Sequence, residues 1–482
     1  MKKVLFISYF FPPSAGAGVQ RTARYAKYLR EFGYEPIVLA PEPRTFAEDP
    51  LSMGVDHSFD DEIPRDLRVY RVPPCQPFEL LRLLKKLKLL WVFHFFVRPD
   101  ERLTWSLAAI AKGLDVARSE NVDLIYQNLG PWSTSAVGYV LKSVLQKPLV
   151  YDIRDPWTQW AMGVWPTPLH FALERRIESR VLAKADGIST LGETYRAELL
   201  QAHPELDPAK VAVVPNGYDS DRLPPREELL RDRPADGLLR VVHAGKFYDT
   251  WGRSERTALS ATLKGAYDAT LGKLRHSPRA LDTDIAGPRF LLEGLALARQ
   301  RDAAATGRIR LEFIGRVHPN VRRQVESLGL GDLVSLTGPM PHDQCVRRLF
   351  QAGALFLPLF RWRDGARMGV LPLKLYEYMS TGNSVIAAVS EGDLKDTLGR
   401  AGTGIFVRPD SPEDFADALL RLQREHASGG IHVAPDWDYI RQFERRALTG
   451  RMARVMDLAM QRAQTRRIPS NLAKVRTNLR KV

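Results

Sequence analysis

Cysteine is almost absent: Cys75 and Cys345 are the only two in 482 residues, far apart and without metal-ligand spacing. This excludes a disulfide framework and argues against a zinc site, and a reducing cytoplasm fits best. Long apolar runs are missing too. The opening MKKVLFISYFFPP has the lysines of a secretion signal, but its apolar run is short and no small-residue cleavage site follows, so it reads as a buried first strand. Glu79 to Val97 is too charged and too short for a membrane span. Acid is in deficit, with 70 Lys and Arg against 56 Asp and Glu, and the resulting charge of +14 calls for an anionic partner or surface. There is no recognition-helix signature, zinc finger or RNA-binding aromatic motif, which leaves nucleic acid the weakest candidate. Acidic lipid and a phosphorylated substrate remain.

Hydrophobic content of 44% and charged content of 26% are those of a folding chain, and the length suggests two domains, with room for an insertion. Val4 to Ser8 is a short apolar run, followed by the loop FPPSAGAG and a helical pattern through Ala23, Ala26 and Leu29 that stops at Gly33. Further strand-like runs at Pro36–Ala40, Leu67–Val72, Asp123–Gln127, Pro148–Ile153, Gly187–Leu191 and Val211–Pro215 alternate with helical segments, as in a doubly wound α/β domain. The charged, proline-containing stretch 221–238 predicts an exposed linker between a first domain, 1–220, and a second, 239–437. Strands are expected there at Leu239–Ala244, Ile309–Ile314, Leu333–Leu336, Ala354–Leu357 and Ser384–Ala388. A C-terminal helix and basic tail would fill 438–482. The fold class is therefore α/β, two Rossmann-like domains facing a central cleft.

Asp249 to Gly287 interrupts the second alternation and reads as an insertion; its Asp282-Thr283-Asp284 follows no strand, so a solvated loop is favoured over a metal-binding pair. The segment 79–98 admits two readings. Laid flat, it would bury Trp91, Phe93 and Phe96 at a lipid interface with Arg82, Lys85 and Lys86 near the head groups; otherwise it is a hairpin covering the domain's own core. The acid-free tail from Arg462 to Lys481 would either add attraction to anionic lipid or be merely solvated.

Chemistry concentrates in a few places. Leu371 to Ala388, LPLKLYEYMSTGNSVIAA, predicts a helix stopped by Gly382 and followed by a buried strand. Lys374 and Glu377 share a face of that helix, where an ammonium would offset a diphosphate and a carboxylate would accept ribose hydroxyls; a surface ion pair is the alternative. Gly16-Ala17-Gly18 lies between the first strand and helix, as a phosphate turn or a purely structural one. It is not the dinucleotide fingerprint, because Arg21 stands at the third glycine position and no acid ends the second strand, which disfavours an NAD enzyme. YDIRDPW places Arg154 and Asp155 at a strand end, the cation for an anion and the acid for an acceptor hydroxyl, or the two for each other. Lys246 in HAGKFY and Arg316 in GRVHP also follow strands and would reach the cleft unless simply solvated.

Seven strings in order, FPPSAGAGVQRTARYAKYLREFGYEPIVLA, YDIRDPW, VPNGYD, HAGKFY, FLLEGLALA, LEFIGR and LPLKLYEYMSTGNSVIAA, resemble the retaining GT-B glycosyltransferases of family four, especially those of bacterial surface-polysaccharide pathways. The resemblance implies a nucleotide-diphosphate sugar donor held by the second domain and a glycan or lipid-linked acceptor in the first. It implies no cofactor and no metal, and a cytoplasmic enzyme that would sit peripherally on an anionic inner membrane face. By position, Gly16, Ala17 and Gly18 would approach the diphosphate, Lys246 would neutralise it and serve catalysis with Arg154 and Asp155, and Arg316, Lys374, Leu375 and Glu377 would complete the donor set. The chain departs from the pattern at Gly369, where relatives often carry a glutamate, and in showing one clear cation, Lys246, where they pair two. A non-catalytic binding subunit and a nucleotide-sugar epimerase are the alternatives.

Overall fold

The computed structural model describes residues 1–222, 224–231, 233–247, 262, 265, 269–431 and 433–479, without the side chains of 17, 222, 271 and 466–479. The described residues fall into two compact units, one from Met1–Pro215, Glu255–Pro278 and Arg445–Val482, the other from Asn216–Ser254 and Arg279–Glu444.

The first unit is built on a parallel sheet of β1 (Lys2–Ile7), β2 (Tyr34–Pro41), β3 (Arg68–Val72), β4 (Leu124–Leu129), β5 (Leu149–Ile153), β6 (Gly187–Thr190) and β7 (Val211–Val213), in the order β3-β2-β1-β4-β5-β6-β7. Both edges of β1 are paired, to β2 and β4. Its side chains alternate between two cores, Leu5 and Ile7 on one face, Val4 and Phe6 on the other, so the run is apolar throughout. Strand order reverses between β1 and β4, and ligands of open α/β sheets bind beyond the strand ends at such a reversal.

One buried ion pair fixes that end of the sheet. Arg21, on the first helix Ala17–Tyr28, donates from Nε and Nη2 to the two oxygens of Asp152 at 2.8 Å, and also reaches the carbonyls of Val214 and Pro215. Asp152 accepts further from Tyr126, Asn128 and Ser189, which lie on the neighbouring strands β4 and β6. Burial pushes the Asp152 carboxyl up, but the Arg21 charge and these hydrogen bonds outweigh it and hold the group below the usual carboxylate range.

The second unit repeats the plan with β8 (Leu239–Ala244), β9 (Ile309–Ile314), β10 (Val334–Gly338), β11 (Ala354–Pro358), β12 (Ser384–Ala388) and β13 (Gly404–Val407), in the order β10-β9-β8-β11-β12-β13. β13 was not expected; at four residues, half of them partly exposed, it lacks a clear apolar run. The predicted linker is also corrected. Residues 221–238 belong to the second unit and carry a helix, Arg226–Arg231, whose Leu229 is buried with Val346 and Phe350. Its polarity misleads because the arginines cap structure: Arg233 donates to the carbonyls of Phe350 and Ala352 and to Asn383.

The C-terminal helix runs from Arg445 to Leu479 and belongs to the first unit, where Leu448, Met452, Val455 and Met456 pack with Val4, Phe6 and Tyr126. Much of the predicted insertion, 248–261 with 263–264 and 266–268, lies outside the described residues, as do the side chains of the tail beyond 465. The rest of the insertion divides. Its described residues up to Pro278 count with the first unit, where His276 and Trp165 form an antiparallel bridge. Asp282 is no solvated loop residue: it sits on a short ribbon, Leu281–Asp282 with Arg361–Trp362, and pairs with Arg361 at 3.1 Å. The segment 79–98 forms two short helices, Phe78–Lys86 and Leu90–Phe96; Phe78 and Leu81 are buried, Trp91 and Phe93 half-buried. Among the described residues no helix is long and apolar enough to cross a membrane.

Removing one partner of the Arg21–Asp152 pair strands a buried charge, so Asp152→Ala is expected to cost about 3–5 kcal/mol. Urea unfolding followed by tryptophan fluorescence measures it, and the apolar double variant Arg21→Met with Asp152→Leu should recover much of the loss. Because the folded carboxyl is depressed, its contribution is present above the ordinary carboxyl value of 3.8 and is lost as pH falls through the folded value.

Candidate active site

In the first unit the expected residues meet at the strand reversal. Arg154, just beyond β5, lays its guanidinium against the start of the first helix, so close to Gly18 that a side chain there would have to displace it. On another side is Gly130, beyond β4, where a Cβ would come within 3.1 Å of Nη2. The guanidinium also lies over the Phe10 ring, 5.3 Å from its centroid, and donates to Asp155 Oδ2 at 2.8 Å. Gly16 caps the helix without a side-chain hydrogen bond, and Ala17 opens it. A cation at a helix start adds to the positive end of the dipole, so the ensemble suits an anion, with Asp155 offsetting the charge. The two readings of Arg154 and Asp155 thus coexist: they pair with each other, and both keep part of their surface open.

In the second unit Lys246, Lys374 and Glu377 gather where β8 ends. Gly245 turns the chain at φ 93°, and Gly315, at the end of β9, packs against it so closely that a Cβ there would lie 3.3 Å from Gly245 Cα. Lys246 and Arg316 follow these glycines, and both side chains are exposed. Lys374 rises from the helix Leu373–Thr381, which starts after Pro372 and stops at Gly382 in the left-handed conformation. Its Nζ donates to the Lys246 carbonyl at 2.7 Å and lies 3.3 Å from His243 Nε2. Burial pushes the Lys374 ammonium down to about 8, partly offset by the charge of Glu377.

His243 escaped the sequence reading although it stands inside HAGKFY. It is fully buried, stacked on Phe247 with ring centroids 4.0 Å apart, and its Nδ1 is 2.9 Å from the Phe356 carbonyl. That carbonyl can only accept, so Nδ1 carries the proton and Nε2 is free to accept from Lys374. Burial and the Lys374 charge hold the imidazole well below its ordinary range, hence neutral. Glu377, one turn on, keeps part of its carboxylate open and has His342 Nε2 at 3.9 Å. Leu375 departs from the expected donor set: its side chain is completely buried and its amide donates to the Pro372 carbonyl. Gly369 is buried in a stretch whose neighbour Met368 is tied by backbone bonds to Glu391 and Asp393, and it offers no carboxylate.

Family models match both parts of the chain, the glycosyl transferase 4-like domain over residues 16–217 and the glycosyl transferases group 1 over 279–425. The chain belongs to the GT-B glycosyltransferases of family-four type. A D-inositol 3-phosphate glycosyltransferase of Corynebacterium aurimucosum is 24% identical over 335 residues, which span 67% of this chain and 69% of that protein. Solved structures share the fold at lower identity. A sucrose-phosphate synthase from Thermosynechococcus elongatus is 14% identical with a TM-score of 0.54, covering 98% of this chain and 100% of its own. An α,α-trehalose 6-phosphate synthase from Burkholderia multivorans is 12% identical with a TM-score of 0.55, covering 95% and 98%. The protein is a glycosyltransferase enzyme.

If Lys374 meets a diphosphate, binding weakens as its charge is lost. Calorimetric titration with UDP, ADP and GDP is expected to show affinity for the preferred nucleotide falling between roughly pH 7 and 9, and Lys374→Met should be weaker and level across that window. A wild-type affinity that stays constant there would refute the contact.

Proposed function

We propose that the enzyme transfers a sugar, with retention and without a metal, from a nucleotide-diphosphate donor to a polysaccharide or lipid-linked acceptor. The observation that carries this reading is Lys374, which sits near the Glu377 carboxylate and binds the Lys246 carbonyl at the end of β8. The ammonium groups would face the diphosphate, and Glu377 would accept the ribose hydroxyls. Arg316, exposed beyond β9, would add a further cation.

In such a transfer the bond from the sugar's anomeric carbon to the diphosphate breaks, and a bond to the acceptor oxygen forms on the same face. The acceptor proton passes to the departing diphosphate oxygen, so no side-chain base is required. Catalysis then rests on stabilising the negative charge that grows on the leaving group, which is what positive groups fixed in advance do. Lys246 and Lys374 supply that charge from the second unit. In the first, Gly16, Ala17 and Gly18 offer backbone amides, Arg154 an anion contact and Asp155 an acceptor for a hydroxyl. The relative from Corynebacterium is named for a phosphorylated acceptor, and an acceptor carrying phosphate would suit Arg154. The basic balance of the chain suits a lipid-linked acceptor presented at an anionic membrane surface of the cytoplasm.

Lys246→Ala is expected to keep the wild-type unfolding midpoint and to lose about a hundredfold or more in transfer or donor hydrolysis. A nucleotide-sugar screen by thermal shift selects the donor for that assay, since a bound donor stabilises the fold. Activity should survive EDTA, and NMR of the product should show the donor's anomeric configuration kept; near-normal turnover of the variant, loss on chelation or inversion would each overturn its part of the reading.

A further inference from the structure

Through its first three turns the helix Pro168–Ala183 of the first unit is built inside out. Its acids point inward: Glu174 and Glu178 are buried, Glu174 holding Arg98 Nε at 2.5 Å and Trp157 Nε1 at 2.8 Å, Glu178 accepting from the Thr158 hydroxyl. Two of its leucines point outward, Leu169 at 75% and Leu173 at 56% exposure, with Ile177 continuing the row, while Val181 and Leu182 in its last turn are buried. These positions are four residues apart and so form one stripe, and Arg176 and Arg180, three and seven residues beyond Leu173, lie in the same stripe. Both arginines are exposed, and the helix has no outward acid. Amphipathic helices of soluble folds bury their apolar face, whereas this stripe is an apolar surface left open among the described residues of its unit.

The stripe has apolar neighbours. His170 packs edge-on against Phe95 at 5.0 Å and its Nε2 lies 3.1 Å from the Phe95 carbonyl, which brings the end of the Leu90–Phe96 helix beside the start of this one. Phe96 there is 77% exposed, and Met162 and Val164, in the loop before the helix, are exposed as well.

We propose that this face is a membrane-docking surface for an anionic bilayer, with Leu169, Leu173 and Phe96 entering the acyl boundary and Arg176 and Arg180 meeting lipid phosphates. Charge decides the occupant. A two-fold pairing with a second copy would set a face of cations, without an acid, against itself. A bilayer of anionic lipid supplies both what the leucines and what the arginines require. The site lies on a different helix from those of segment 79–98, which contributes only its last aromatic residue. The inference rests on the membrane part of the proposed function and assigns it a surface; it does not depend on which sugar is moved, and its failure would leave the transfer chemistry intact.

Co-sedimentation of the full chain with phosphatidylcholine vesicles, with and without phosphatidylglycerol, tests it. The protein is expected to pellet with the anionic vesicles, less so at high salt, and to stay in solution with phosphatidylcholine alone. Leu169→Ser with Leu173→Ser should lower partitioning by about tenfold or more, and Arg176→Glu with Arg180→Glu should lower it too. Both variants should keep the wild-type melting temperature, since the altered side chains are outside the core. Wild-type protein that stays in solution with anionic vesicles, or leucine variants that pellet as well as wild type, would overturn the proposal. So would a lipid-free dimer that the leucine substitutions convert to monomer, which would make a second copy the occupant.

Discussion

The Arg21–Asp152 ion pair is the constraint on which the first unit's site depends. A charge in that position is tolerable only because each partner is answered several times over, the carboxylate by Arg21, Tyr126, Asn128 and Ser189, the guanidinium by that carboxylate and two carbonyls. The geometry follows from that requirement. The first helix can sit only where Arg21 reaches the middle of the sheet, which in turn sets Gly18 at the strand reversal. Two residues beyond Asp152, Arg154 emerges on the ligand edge against that glycine. A polar core thus positions an anion site it does not itself touch.

Much of the fold was legible because both sheets are parallel and central, so their strands are short apolar runs bounded by turns. Leu239–Ala244, Ile309–Ile314 and Ser384–Ala388 have the bounds their residues predict. Legibility failed where polarity is structural rather than solvated. The arginines of 226–233 look like those of a linker, yet they cap carbonyls and cover Trp437. Arg21 and Asp152 are separated by 131 positions, and nothing local announces their pairing; its one trace was an arginine at a glycine's place in the loop motif. The same holds for His243, which the spacing of HAGKFY marks as near a strand end without showing that its ring faces Lys374. Family resemblance reached the class of enzyme and its candidate residues, while Leu375 shows its limit: the motif position is matched, and the side chain belongs to the core.

The two units hold their cations in different ways. Arg154 is spread over an aromatic ring and paired with a neighbouring carboxylate, a planar fork held from two sides. Lys374 is instead a point charge held against a neutral imidazole and a carbonyl, both acceptors, in a setting that weakens its hold on the proton. An anion arriving there would strengthen that hold.

The C-terminal helix has a consequence for how the chain comes into being. Its residues complete the apolar core against β1, and Asp457 takes the ammonium of Lys2 at 2.7 Å, so β1 and this helix, far apart in sequence, are packing partners. A ribosome delivers these partners 455 positions apart. The first unit's sheet is therefore left with one apolar face without its covering helix until the second unit has been made.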